Sequence, residues 1–323
     1  MKSYWIVARG ERSIVEPREV PVPRLKADEV LVRVHAAGLN RGELIVGGAV
    51  HGGAEKLGGT EASGIIEAVG SGVSGWKKGD RVTGRVRGAF AEYAAMYVGQ
   101  AMRMPERLTF EEAAAIPSSF ITAYEALVRY GGMRAGESVL ISGAASGVGM
   151  AGVLTAKVLG ARSIGLSRSK EKLARLTAIG LDVAIATDGA NFAAQVREAT
   201  EGRGANLAMN LVGGSVFPEM MCSLAYEGRL AIVGYVDGRH HAEIDLNAAH
   251  VNRLQVFGIS NVKLKREDRA VTTQGFARDV LPAIADGRIT PLIDRVFAFD
   301  ELPRALEHMD AETRVGKVVV KTI

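Results

Sequence analysis

Ser138-Val139-Leu140-Ile141-Ser142-Gly143-Ala144-Ala145-Ser146-Gly147-Val148-Gly149 is the stretch whose reading decides the fold. Its first four residues form a short, largely apolar run of the length of a buried strand. The small residues from Gly143 to Gly149 then let the backbone approach a bound group closely. From Gly147 to Leu159 the apolar residues Ala151, Leu154 and Val158 share one helical face. A strand, a small-residue turn and a helix N-terminus together make an anion cradle, with free N–H groups and the positive end of the helix dipole aimed at the turn. A glycine cluster alone is weak evidence; the strand–turn–helix setting is what a dinucleotide pyrophosphate requires.

The pattern continues downstream. Ile164-Gly165-Leu166 predicts the next strand and residues 170–179 the next helix. Then come a strand at Val183-Ala184-Ile185, a helix over 192–200, a strand at Leu207-Ala208-Met209, a helix over 216–224, and strands at Leu230-Ala231-Ile232-Val233 and Val256-Phe257-Gly258-Ile259. Continuous apolar strands alternating with helices imply a doubly wound parallel sheet, covered on both faces. Upstream the style differs. Val30 to Ala36 largely alternates, Gly64 to Val69 ends at a Gly70-Ser71-Gly72 turn, Gly79-Asp80-Arg81-Val82 turns into a third strand, and Phe90-Ala91-Glu92-Tyr93 begins a fourth. Short strands with glycine turns suggest a partly closed barrel. The tail Gly316-Lys317-Val318-Val319-Val320 returns to that style and is expected to rejoin it. The expected division is therefore 1–121 with 261–323 as the barrel domain, and 122–260 as the α/β cofactor domain.

Composition agrees with a globular chain of about two domains. There are 323 residues, 47% hydrophobic and 24% charged, with a net charge of +4. The cluster Lys263-Leu264-Lys265-Arg266 runs straight into Glu267 and Asp268 and reads as a solvated face. Cys222 is the one cysteine, so no intrachain disulfide forms and a reducing, cytoplasmic setting is expected. The N-terminus lacks a signal pattern, and no apolar run is long enough to span a membrane.

Where the second strand ends, an NAD site usually carries a carboxylate for the ribose hydroxyls. This chain has Ser167-Arg168-Ser169, with Lys172 one turn on. Arginine and lysine attract a 2′-phosphate that a carboxylate would repel, which favours NADPH.

Gly38-Leu39-Asn40, the run from Gly59 to Gly64, Gly79 to Val82, Ala144 to Gly149, Val212-Gly213-Gly214, Gly228-Arg229-Leu230 and Gly316-Lys317-Val318 occur in that order. In this the chain resembles the zinc-free quinone oxidoreductase branch of the medium-chain dehydrogenase/reductase superfamily over nearly its full length. The resemblance implies a Rossmann cofactor domain beside a GroES-like β-barrel catalytic domain. It implies a cofactor groove drawing on Ala144, Ala145, Ser146, Gly147, Val148, Gly149, Ser167, Arg168, Lys172, Val212, Gly234, Phe257 and Ile259. It also implies Asn40 and Thr122 beside the nicotinamide, with Tyr235 facing the cleft. Zinc-dependent members carry a cysteine and a histidine where this chain has Asn40 and Thr60, so no zinc is expected. His240-His241 reads as polar loop surface.

The chain departs from the bacterial pattern at Ile45 (often tyrosine), at Thr187 (often an adenine-stacking tyrosine), at Glu43 (usually aspartate) and in the loop Gly47 to Gly58, which lacks the usual tyrosine and prolines. The expected activity is hydride transfer from NADPH to a quinone or other conjugated carbonyl. Alternatives are an enoyl or alkenal double-bond reductase and a crystallin-like nucleic-acid-associated role. A short-chain dehydrogenase is disfavoured because its nucleotide turn lies near the N-terminus and no Tyr-x-x-x-Lys follows here. A homodimer is expected, joined through the Val256–Ile259 sheet edge.

Overall fold

The structure, a computed structural model, describes residues 1–10, 12–44, 55–189 and 191–322. Ile45 and the part of the Gly47–Gly58 loop up to residue 54 lie outside the described residues. The chain divides into two compact units, one of Met1–Ser118, Val262–Gly287 and Pro291–Ile323, the other of Ser119–Asn261 and Arg288–Thr290.

In the first unit the central strand is Glu29–Gly38. Val30, Val32 and Val34 point inward at every second position, so one face is core and the other is partly solvated. The seven-stranded sheet runs Ile293–Ala298, Lys317–Lys321, Glu29–Gly38, Glu61–Val69, Arg81–Arg85, Ala101–Arg103, with Tyr93–Tyr97 on the side of Glu29–Gly38. The tail strand pairs antiparallel with Glu29–Gly38, as expected of it. Lys2–Arg9, Arg12–Glu19 and Glu55–Leu57 form a separate three-stranded sheet. The barrel core gathers Val30, Val34, Ile66, Phe90, Met96 and Val320.

Two expectations shift here. Phe90-Ala91-Glu92 does not begin a strand; the strand is Tyr93–Tyr97, and Phe90 is instead buried as a core anchor, its N–H on Gly58 O at 2.9 Å. The basic cluster at 263–266 is more than a solvated face. Arg266 pairs with Asp28 at 2.6 Å and lies over the Tyr97 ring at 4.5 Å.

The second unit holds a six-stranded parallel sheet in the order Val183–Ala186, Arg162–Ser167, Ser138–Ile141, Ala205–Asn210, Leu224–Ile232, Gln255–Gly258. The chain starts in the middle, steps outward twice on one side, then returns to fill the other. The order reverses between Ser138–Ile141 and Ala205–Asn210, and in such sheets ligands bind at the carboxyl ends of the two strands where it does so. The helix expected over 216–224 covers only Phe217–Cys222, because Pro218 fixes its first turn and Leu224 already enters the next strand. No helix among the described residues is long and apolar enough to cross a membrane.

Candidate active site

The turn after Ser138–Ile141 is built by its small residues. Gly143 takes φ +61, a left-handed conformation that glycine adopts freely. Ser146 caps the helix Gly147–Val158, its hydroxyl accepting the N–H of Gly149 at 3.1 Å. A Cβ on Gly149 would stand 2.4 Å from Gly143 O and 2.7 Å from Ala144 Cα, so only glycine lets the helix close this tightly on the turn. Ala144 and Ala145 are buried, while Ser146, Gly147 and Val148 are half-exposed at the mouth. The N–H groups of Gly147 and Val148, in the first helical turn, are the donors an anion would meet.

Beside it, Asn210 shapes the end of the neighbouring strand Ala205–Asn210. It is buried, donates to Gly213 O at 2.9 Å, and accepts the N–H groups of Val212 and Gly213 at 3.0 Å each. Ser142 Oγ donates to Asn210 Oδ1 at 3.2 Å and accepts Leu211 N–H at 3.0 Å, tying the two strand ends together. Further along, Asp237 accepts the N–H groups of Ser215 and Arg239 at 2.8 Å each. Burial tends to raise its carboxyl, but these hydrogen bonds outweigh it and hold Asp237 below its ordinary range.

Ser167 ends the strand Arg162–Ser167, and its hydroxyl accepts the N–H of Ser169 at 3.2 Å. Ser169 in turn caps the helix Lys170–Ile179 through Lys172 N–H at 3.2 Å. Arg168 is exposed and Lys172 half-buried at this helix start. Lys170 and Glu171 share the turn, so the local balance is positive, three cations against one carboxylate. Phosphate groups suit both features, the Gly147 helix end through its N–H groups and the Arg168–Lys172 turn through its positive charge.

The first unit contains a polar cluster at the end of the strand Glu29–Gly38. Glu61 and Lys317 are buried and paired at 2.5 Å. Lys317 Nζ also donates to Leu39 O and to Asn40 Oδ1, at 2.9 Å each. Asn40 Nδ2 donates to Glu43 Oε1 at 2.9 Å and Glu61 Oε1 at 2.8 Å, with Thr60 Oγ1 at 3.3 Å. Thr60 and Glu43 Oε1 stand 2.5 Å apart, Gly59 N–H donates to Glu43 Oε2 at 3.1 Å, and Ser118 N–H to Glu61 Oε2 at 2.6 Å. Gly38 leaves room for the carboxylate: a Cβ there would meet Glu61 Oε1 at 2.5 Å. Burial raises the Glu43 carboxyl above its ordinary range. Hydrogen bonds from Thr60 and Asn40 and the charge of Lys317 oppose the rise, and the Glu61 charge adds to it.

Residues 26–106 match the model of the alcohol dehydrogenase GroES-like domain, and residues 147–273 match that of the zinc-binding dehydrogenases. The chain is 31% identical over 332 residues to the quinone oxidoreductase-like protein 2 homolog of Nematostella vectensis, covering 99% of this chain and 90% of that one. It belongs to the quinone oxidoreductase branch of the medium-chain dehydrogenase/reductase superfamily. Human quinone oxidoreductase is 27% identical over 99% of this chain and 97% of its own length. A mycobacterial protein solved in complex with NADPH is 25% identical, with a TM-score of 0.87 and 100% of both chains covered. The chain also matches erythronolide synthase EryA2 of Saccharopolyspora erythraea at 33% identity, spanning 8% of that longer protein. This member of the superfamily is an oxidoreductase, and its cofactor is a nicotinamide dinucleotide.

Within this medium-chain oxidoreductase, Ser167 ends its strand and Ala144, Val212, Gly234 and Ile259 follow the carboxyl ends of neighbouring parallel strands, along one sheet edge. Phe257 is half-buried inside the edge strand. Tyr235 is 46% exposed, its ring 4.8 Å from that of His240. Thr122 is half-buried in the helix Pro117–Tyr124. Asn40 does not present a free amide, since Glu43, Glu61 and Lys317 occupy it. Thr187 Oγ1 accepts Gly189 N–H at 3.1 Å, a loop-shaping contact. Among the described residues no group of three or more His, Cys, Asp or Glu is arranged to hold a metal ion.

Sequence reasoning gave no role to Asn210, Glu43, Glu61 or Lys317. For Asn210 the signal was a lone amide closing an apolar strand just before a glycine loop. For Lys317 it was a cation heading a fully buried Val318-Val319-Val320 run.

Proposed function

We propose that this protein is an NADPH-dependent reductase of electron-poor conjugated carbonyls, a quinone or an enone, working without a metal. The observation that carries the reading is the buried cluster around Asn40 and Thr60. Asn40 and Thr60, which the resemblance matches to the cysteine and histidine of the zinc-dependent branch, are held there by Glu43, Glu61 and Lys317, the Asn40 amide engaged by all three and the Thr60 hydroxyl on Glu43. A hydroxyl fixed in this way is a preorganised hydrogen-bonding group, and a conjugated acceptor spreads its developing charge well enough to need no stronger electrophile.

The Gly147 helix end would hold the pyrophosphate and Arg168 with Lys172 the 2′-phosphate. Bound there, NADPH supplies a hydride from its nicotinamide. The test is NADPH oxidation with a small quinone, with an alkenal, and with ethanol and NADP+ in parallel. Turnover of the quinone or the alkenal is expected, and robust turnover of ethanol would overturn the reading.

Arg168→Ala is expected to raise the KM for NADPH about tenfold, the lower value for a lost charged hydrogen bond at an exposed site, and to leave that for NADH nearly unchanged. Equal effects on the two would remove Arg168 from the 2′-phosphate.

The homodimer belongs to the same proposal. Gln255–Gly258 is the end strand of its sheet, and Val256 (40% exposed) stands near the even more exposed Leu246 and Val251 in sequence. An apolar edge strand invites pairing with a second copy. Val256→Arg is expected to shift the light-scattering mass from dimer to monomer. A dimer of undiminished stability would place the contact elsewhere.

A further inference from the structure

The Asn40 cluster accounts for nearly every polar hydrogen it contains. An ammonium has three hydrogens, and those of Lys317 go to Leu39 O, Asn40 Oδ1 and Glu61 Oε1. Because an ammonium only donates, the Asn40 carbonyl must face Lys317 and its amide nitrogen the carboxyl groups. The two amide hydrogens then go to Glu43 Oε1 and Glu61 Oε1. What remains is the hydroxyl of Thr60, a half-buried residue, with Glu43 Oε1 at 2.5 Å behind it.

That hydroxyl has two settings. With Glu43 ionised, its hydrogen points back at the carboxylate, and an approaching oxygen meets only lone pairs. With Glu43 in the acid form the proton sits on Oε1, because that oxygen has an acceptor in reach, Thr60 Oγ1 at 2.5 Å, while Oε2 faces the N–H of Gly59. That proton is given to Thr60 Oγ1, and the Thr60 hydrogen turns outward.

The charges facing Glu43 favour the second setting. Glu61, from the strand Glu61–Val69, is a second buried carboxylate, and Lys317, from the strand Lys317–Lys321, is the buried cation paired with it. One proton on Glu43 makes this group neutral, whereas an ionised Glu43 leaves an excess negative charge in the interior. Lys56, on the strand Glu55–Leu57, also acts on Glu43 through space, and burial holds its ammonium below the ordinary lysine range. The upward displacement of the Glu43 carboxyl agrees in direction.

We propose that Thr60, and not Asn40, is the catalytic hydrogen-bond donor to the acceptor oxygen, and that Glu43 in its acid form is the positioning residue that turns the Thr60 hydroxyl outward. Asn40 and Lys317 hold Glu43 and Glu61 in place. The inference rests on the proposed reductase activity and names the donor that activity would use. No covalent step is added: the hydroxyl stabilises charge arriving with the hydride.

The experiment measures NADPH oxidation by a small enone in wild type, Thr60→Val, Thr60→Ser and Glu43→Gln across pH. Alongside it, infrared difference spectra of the protein are taken to look for a protonated buried carboxyl. Thr60→Val is expected to lower kcat about 100-fold, the loss typical of one oxyanion donor, with the KM for NADPH close to wild type. Thr60→Ser recovers most of that rate.

In wild type the active form carries the proton, so the rate is highest at lower pH and falls as pH rises through the raised Glu43 value. Glu43→Gln gives up the bond from Asn40 but donates permanently to Thr60. It is expected to lose about tenfold or less in rate and to lose the alkaline fall, along with the infrared carboxyl band. A Thr60→Val rate near wild type, an alkaline fall that survives in Glu43→Gln, or no carboxyl band in wild type at neutral pH would each overturn the proposal. If wild type oxidises NADPH with none of the acceptors, the reductase reading fails and this inference fails with it. Turnover by wild type with an insensitive Thr60 sinks the inference alone.

Discussion

Lys317→Met is expected to destabilise the first unit by about 3–5 kcal/mol, the usual cost of leaving one member of a buried ion pair without its partner. Methionine nearly fills the volume, so the loss is electrostatic and not a cavity. Glu61 Oε1, Asn40 Oδ1 and Leu39 O each lose the ammonium at 2.5–2.9 Å. Glu61 is fully buried and cannot turn to water for compensation. Adding Glu61→Gln removes the stranded charge and is expected to recover more than half of the loss, so the double-mutant cycle reports strong coupling. Both tryptophans, Trp5 and Trp76, lie in the first unit, so tryptophan fluorescence in a urea titration follows the right part of the chain. A midpoint for Lys317→Met close to wild type would show that water or a neighbouring group replaces the ammonium. It would also remove the frame on which the placement of Asn40 depends.

The same cluster marks the limit of what the sequence made legible. The parallel sheet announces itself locally, because each strand is a short apolar run and each turn carries its own glycine or cap. Gly143, Ser146 and Gly149 lie within seven residues, and their geometry depends on one another alone. The Asn40 cluster is the opposite case. Lys317 and Glu61 are separated by 256 residues, and a single Glu or Lys in a strand reads as surface until the pairing of Lys317–Lys321 with Glu29–Gly38 brings the two together. Tertiary contact alone shows that the Asn40 amide is fully engaged, which moves the expected donor role from Asn40 toward Thr60.

The helix Arg266–Asp279 escaped notice for a related reason. Its buried face is Thr272, Thr273, Gly275 and Phe276, so no apolar stripe exists to be read at helical spacing. The short helix Phe110–Ala114 is only a capping box around Thr109 and Glu112, too brief for periodicity to register.

Gly149→Val is expected to weaken NADPH binding by about 100-fold or more while leaving much of the first unit intact. The added Cβ meets Gly143 O and Ala144 Cα, and both are backbone atoms that cannot swing aside. Either the helix Gly147–Val158 backs away or the turn opens, and both movements break the Ser146 cap on Gly149 N–H. The N–H groups of Gly147 and Val148 then leave the position proposed for the pyrophosphate. Two charge-assisted hydrogen bonds at about 1.5–3 kcal/mol each amount to about 3–6 kcal/mol, which corresponds to at least about 100-fold in Kd. Overpacking adds about 1–3 kcal/mol of destabilisation to the second unit. NADPH fluorescence titration measures the first effect, and thermal unfolding with and without NADPH measures the second. The ligand-induced rise in Tm expected for wild type should vanish, because a dinucleotide stabilises only a fold that still binds it. A normal Kd in a folded Gly149→Val protein would mean that the pyrophosphate does not sit on this helix end, and the shared direction of six parallel strands would then need another ligand to explain it.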